Sequence, residues 1–236
     1  MKNLSVLAMA MAVSAAILAL TPVRAGALDL PGYGGGGGGK YTVPVTSLKE
    51  ARFKSTLRQQ YDFSCGSAAV ATLLTHQYGY PVNEQQVFEE MFARGNQQKI
   101  QKEGFSLLDI KLYLADHGFV ADGFEQPLQK LADTGLPAIV LIAEKGYHHF
   151  VVIKGMRDGR ILIGDPSSGT RAIPRTSFEA IWVNKLLFVI HNQQQGTVKF
   201  NDTADWRVAP RAPLRAGISN DGLGNVSLPK MGPGDF

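Results

Sequence analysis

"RQQYDFSCGSAAVATLL", residues 58–74, contains the only cysteine of the chain, Cys65. The residues after that cysteine set the fold. Ala69, Val70, Leu73 and Leu74 recur at helical spacing and form an apolar stripe. The helix starts at Ser64 or Cys65 and runs to about Tyr78, where Gly79 and Pro81 stop it. Gly66, Ser67 and Ala68 leave room for close packing around its first turn. A thiol in that turn sees the positive end of the helix dipole and unpaired N–H groups, both of which favour thiolate. Small neighbours are expected to leave the sulfur open to a substrate. The competing reading is an inert buried cysteine, since free cysteine is among the most buried residue types.

Two more helices come next. One starts at Asn83, with Gln86 at the capping-box position and Val82 and Val87 as a staple, and ends near Gly95. The other starts at Ser106, with Asp109 in the box and Phe105 and Ile110 as staple, and ends at Gly118. Then the period changes. "PAIVLIAE" (137–144), "HHFVVIKGM" (148–156), "GRILIGDP" (159–166) and "KLLFVIHN" (185–192) are short aliphatic or β-branched runs bounded by Gly, Pro or Asp. "RDG" at 157–159 joins two of them as a hairpin turn. "SFEAIW" (177–182) is a short helix before the last strand. Helices first and an antiparallel sheet second predict an α+β domain of two packed layers.

The flanks differ in character. "MKNLSVLAMAMAVSAAILAL" has a positive start and an apolar core, and small residues around Ala25 come after it: a secretory signal peptide over residues 1–25 is expected. An uncleaved membrane anchor is the alternative. Residues 26–40 carry Gly34 to Gly39 and read as a flexible linker. The globular part spans 41–193, and 194–236 is a Pro/Gly-rich tail, poorly ordered or lying over the domain. No later apolar run is long enough to span a bilayer. The 236 residues are 44% hydrophobic, enough for one ordinary core. The formal charge is +4, with no Lys/Arg run, so nucleic acid is not an expected partner. A signal peptide implies a periplasmic or secreted location. A lone thiol in such an oxidising compartment is a liability unless it is buried or used.

A thiolate nucleophile needs a proton acceptor. His76 lies eleven residues along the same helix, about three turns away, and cannot reach. His117 suits the C-terminal end of its helix, and His191 ends the last strand. His148 and His149 open a strand and face opposite ways. In a hairpin centred on Arg157–Gly159, His149 and Asp165 come out nearly opposite each other, so Asp165 is placed to fix the imidazole tautomer. The bland alternative is that Asp165–Pro166 is only a turn. Gln59 and Gln60 precede Cys65; an amide held there could donate to an oxyanion together with the Cys65 N–H, and the bland alternative, which the residues alone favour, is two solvated glutamines in a loop.

"QQYDFSCGSAAVATLL", "HHFVVIKG" and "GDPSSG" together resemble the C39 peptidases, the bacteriocin-leader-processing cysteine peptidases with a papain-like fold. The resemblance covers about Tyr41 to Asn192. It implies Cys65 as nucleophile, His149 as base, Asp165 as orienter and Gln59 as oxyanion donor, with no cofactor or metal. Leader-processing members are usually domains of ABC transporters. This chain lacks "GxxxxGK[ST]" and carries a signal peptide instead. It is similar to stand-alone secreted members, including those of functional-amyloid secretion systems. The resemblance implies an endopeptidase that cleaves a secreted polypeptide partner after small residues such as Gly-Gly. Other readings are an inactive peptidase-like module that binds an exported polypeptide, a different thiol acyl transfer, and a zinc site at Cys65, His149 and Asp165.

Overall fold

The helix that carries Cys65 sits at the centre of its unit. The structure, a computed structural model, describes residues 27–31, 40–144, 146–193 and 198–210. The expected signal peptide, the Gly34–Gly39 run and the tail beyond residue 210 lie outside them. The chain divides into two units, Met1–Thr46 and Ser47–Phe236. In the first, β1 (Ala27–Pro31) pairs antiparallel with β2 (Lys40–Pro44). Part of the expected 26–40 linker is therefore strand.

The second unit contains α1 (Leu48–Arg52), α2 (Cys65–Thr72), α3 (Glu84–Arg94), α4 (Gln97–Glu103), α5 (Leu107–Asp116), β3 (Ala121–Glu125), α6 (Gln129–Thr134), β4 (Ala138–Glu144), β5 (Tyr147–Arg157), β6 (Arg160–Asp165), β7 (Gly169–Pro174), α7 (Arg175–Ile181), β8 (Leu186–Ile190) and α8 (Thr203–Trp206). Six strands form one antiparallel sheet in the order β3-β8-β4-β5-β6-β7.

Every residue of α2 is buried. A helix apolar all round belongs inside, and small side chains let its neighbours approach. A Cβ on Gly66 would meet Phe105 Cβ at 2.9 Å. The helix widens into a π-turn over Leu73–Gln77, closed by the Tyr78 N–H on the Leu73 carbonyl, and Gly79 exits at φ +68°. Ser106 and Asp109 form the full capping box. At Asn83 only half of one forms: Asn83 caps the Gln86 N–H, but the Gln86 side chain turns to Glu90.

The sheet is covered on both faces. Val152, Phe150, Ile139, Phe188 and Ile190 pack with α2, α3 and α5. Val151, Ile153, Val140, Ile142, Ile161, Ile163 and Leu187 pack with Leu128, Leu131, Phe178 and Trp182. The expected two layers are thus three. Burial on both sides is why these strands read as continuous apolar runs rather than alternating ones. After the last strand, Val198–Pro210 returns to the domain as an arm. The Asn201 N–H donates to the Lys154 carbonyl, and Trp206 is buried beneath Arg157 and Arg160.

Candidate active site

The site lies where the sheet splits. β4 and β5 stay paired as far as Glu144↔Tyr147, and β6 and β7 as far as Asp165↔Gly169. Pairing between β5 and β6 stops at Val152↔Gly164. The N-terminus of α2 meets this opening. There the Phe150 N–H, freed from the ladder on that side, faces the Cys65 sulfur, as do the N–H groups of Gly66 and Cys65 itself. Phe150 is next to His149 in sequence, and the charge of Asp165, the partner of His149, also acts on the thiol.

His148 is exposed and His149 buried. Alternation puts His149 on the face of Val151 and Ile153. Gly164 pairs with Val152, so Asp165, one residue on, shares the His149 face. The two are offset along the strands rather than directly opposite, and the side chains close the gap: His149 Nε2 lies 3.3 Å from Asp165 Oδ2. A β-bulge at Lys154 makes this possible. It shifts the register between Ile153 and Gly155. Had the pairing at Gly155↔Leu162 continued unbroken, Asp165 would stand opposite Val152 and point to the other face.

Asp165 is fully engaged. Its Oδ1 accepts from the Ser167 N–H at 2.9 Å, the Ser167 hydroxyl at 2.7 Å and the Ser168 N–H at 3.3 Å. Its Oδ2 also accepts from Arg171 at 3.1 Å, and the same guanidinium nitrogen reaches Glu144 Oε2 at 2.6 Å. Burial alone would raise the carboxyl; the bonds from His149 and Ser167 and the histidine's charge outweigh it and hold the group well below the usual carboxylate range. An ionised Asp165 takes the proton on Nε2, which leaves Nδ1 with the lone pair in a neutral ring. Nδ1 is buried and has no hydrogen-bond partner among the described residues. The Tyr147 ring stacks on the imidazole at 5.7 Å, and its hydroxyl donates to the Asp62 carbonyl.

Two expectations about Cys65 change. The residue is not open to solvent: it is 6% exposed, and Phe105 packs against the glycine that follows it. Nor does the helix terminus decide its ionisation. Burial pushes the thiol up, and the N–H groups around the sulfur only partly offset this. That direction favours the neutral thiol.

Gln59 reaches the site through its backbone. Its N–H donates to the carbonyl of Pro166, next to Asp165, at 3.2 Å. Its Nε2 donates to the Tyr61 carbonyl at 3.2 Å and has a second hydrogen, while its Oε1 is buried with no partner among the described residues. Gln60 instead serves structure: its N–H helps hold the buried Glu84.

Glu144, His149 and Asp165 offer ligand atoms within 4.8 Å of one another. A cation already sits among them, the Arg171 guanidinium. Sequence reasoning missed Glu144, Tyr147, Ser167 and Arg171. For Arg171 a signal existed: "PSSG" is a four-residue turn, and "GTRAIP" after it is a strand that pairs back on β6.

Over residues 54–194 the chain matches the profile of the Peptidase C39 family. The chain belongs to that family. It is a cysteine peptidase. It is 38% identical over 157 residues to the probable functional amyloid protease FapD of Pseudomonas aeruginosa, a match that covers 66% of this chain and 69% of that one. FapD of Pseudomonas fluorescens is 36% identical over 180 residues, 76% of each chain. The crystal structure of the peptidase domain of Streptococcus ComA, a bi-functional ABC transporter involved in a quorum-sensing pathway, aligns with a TM-score of 0.50 at 22% identity, over 59% of this chain and 98% of that domain. That likeness shows the C39 fold, papain-like as expected. Among the described residues, no helix is long and apolar enough to cross a membrane.

Proposed function

We propose that this C39 peptidase is an endopeptidase exported by its N-terminal signal peptide, which works in the periplasm or outside the cell on a secreted polypeptide and cuts after small residues such as Gly-Gly. One observation carries the chemistry. His149 commits Nε2 to Asp165 and keeps Nδ1 buried with no partner among the described residues, and the amide of the next residue, Phe150, faces the Cys65 sulfur. Nδ1 takes the thiol proton as Sγ attacks the substrate carbonyl carbon. The Cys65 N–H and the second hydrogen of Gln59 Nε2 receive the charge that develops on the carbonyl oxygen. The C–N bond then breaks, His149 returns the proton to the leaving amine, and a thioester remains on Cys65. Water attacks the thioester with His149 again as base, and the thiol is restored. Each step uses the chain's own groups and water.

The names of the two Pseudomonas relatives support an amyloid-forming polypeptide as the substrate class. The test is incubation of the purified chain with secreted amyloid-forming polypeptides that contain Gly-Gly, with Cys65→Ala as control. Cleavage after the glycine pair is expected from the native chain and none from the variant. Cleavage that persists in Cys65→Ala would remove the mechanism.

A further inference from the structure

The bulge that puts Asp165 on the His149 face is held from outside the stretch that matches the family. β4 begins at Ala138, opposite Ile153, so β5 beyond that point has no ladder neighbour on this side. Asn201, from the arm after the domain, takes the neighbour's place. Its N–H donates to the Lys154 carbonyl at 2.9 Å, and its Oδ1 accepts from the Met156 N–H at 2.7 Å. Between them is Gly155, where a Cβ would meet Asn201 Oδ1 at 2.4 Å. Asn201 itself sits at φ +61°, a left-handed conformation that asparagine tolerates better than most residues. One helical turn further along the arm, in α8, Asp205 receives the fully buried Lys154 ammonium at 2.7 Å. The same ammonium donates to the Ser55 carbonyl at 2.7 Å and hydroxyl at 2.8 Å. Backbone clamp and ion pair grip the same residue, the extra one of the bulge.

A bulge is an added residue that a strand keeps only where its unpaired groups are satisfied. Here the arm takes up the carbonyl and the side-chain charge of the added residue. Loss of the bulge would shift β5 by one residue against β6, and a one-residue slip turns each side chain to the opposite face. We propose that the arm Val198–Pro210 is a positioning element of the peptidase: by clamping the bulge at Lys154 through Asn201 and Asp205, it keeps Asp165 and His149 on one face of the sheet. Asn201 touches no reacting atom and acts only through β5. The proposal rests on the reading of His149 and Asp165 as the working pair.

The test uses the full chain and the rate of Cys65 alkylation by iodoacetamide against pH, which needs no substrate. Asn201→Gly keeps the left-handed backbone and removes the acceptor; Gly155→Ala pushes the arm away from the other side; Asn201→Asp restores an acceptor. Each is read well below its own melting midpoint. The native chain is expected to show reactivity on the acid side of the profile, which His149→Ala abolishes. Asn201→Gly and Gly155→Ala are expected to lose about tenfold or more of it, and Asn201→Asp to regain most. If the first two do not fold, Asp205→Asn, close in shape, is expected to show the same loss at smaller amplitude. Variants that melt earlier but keep the native profile would overturn the arm's role and leave the peptidase reading intact. A native chain without acid-side reactivity would overturn both.

Discussion

His149 Nε2 lies 3.3 Å from Asp165 Oδ2, yet the two residues meet only because β5 contains one more residue than a regular hairpin would need. In the proposed mechanism the pair fixes the tautomer with the lone pair on Nδ1. Asp165→Ala removes the acceptor and leaves the imidazole free to turn. Hydrolysis is expected to fall by about a hundredfold or more. Asp165→Asn retains an acceptor for Nε2 but not the charge, and should fall between. The measurement is kcat/KM on a cleaved polypeptide; equal rates for Ala, Asn and native chains would contradict the assignment.

The ionisation of Cys65 gives a second expectation, with a definite sign. Burial favours the neutral thiol, so without a proton acceptor the sulfur ionises above the ordinary thiol range. In His149→Ala the alkylation rate is therefore expected to rise only at alkaline pH. In the native chain, proton transfer to the imidazole allows reaction at lower pH. Coincident pH–rate curves for the two proteins would show that the imidazole does not serve the thiol.

Much of this site is legible in the sequence, and the reasons are local. Cys65, His149 and Asp165 each stand at a boundary that composition marks: a helix start, a strand start and a strand end. Alternation separates exposed His148 from buried His149. The face of Asp165 is less secure. A regular hairpin from the Asp158–Gly159 turn puts Asp165 opposite Val152, on the wrong face, and the correcting bulge depends on Asn201, some 45 residues away in sequence. No local pattern announces a contact of that range. The burial of Cys65 is hidden for a similar reason. "CGSAAVA" tells that something packs closely, and only the fold shows that Phe105 does. β7 and its Arg171 are passed over, although "GTRAIP" has the pattern of a strand, because the Asp-Pro turn before it looks like the end of the hairpin.

Arg171 shares Oδ2 of Asp165 with His149 and is itself tied to Glu144. Its positive charge weakens the hold of Asp165 on an imidazolium. The charged or ionisable groups gathered at the imidazole are Asp165, Glu144 and the stacked Tyr147, with Arg171 on the two carboxylates. Arg171→Gln leaves two carboxylates uncompensated there, so the thiolate–imidazolium pair is held harder. The alkaline limb of the kcat/KM profile is expected to move to higher pH, while kcat falls because Asp165 is less firmly placed. Arg171→Lys should restore the position of the limb more than the value of kcat, since an ammonium supplies charge without the planar fork. An unmoved limb in Arg171→Gln would limit this residue to packing.

The last expectation separates the stability of the arm from its effect on the site. Lys154 is fully buried, and its charge is tolerated because Asp205 and Ser55 receive it. Removal of one partner from a buried pair typically costs about 3–5 kcal/mol, whereas replacement of both by apolar residues is often neutral. Asp205→Asn is therefore expected to lower the melting midpoint by about 10 °C, and Lys154→Met with Asp205→Leu to recover most of that loss. The double variant retains Asn201 and its two bonds to β5, so the bulge and the His149–Asp165 contact should survive with near-native alkylation of Cys65. If calorimetry finds Asp205→Asn as stable as the native chain, the arm is not anchored by this pair and Asn201 alone holds the bulge.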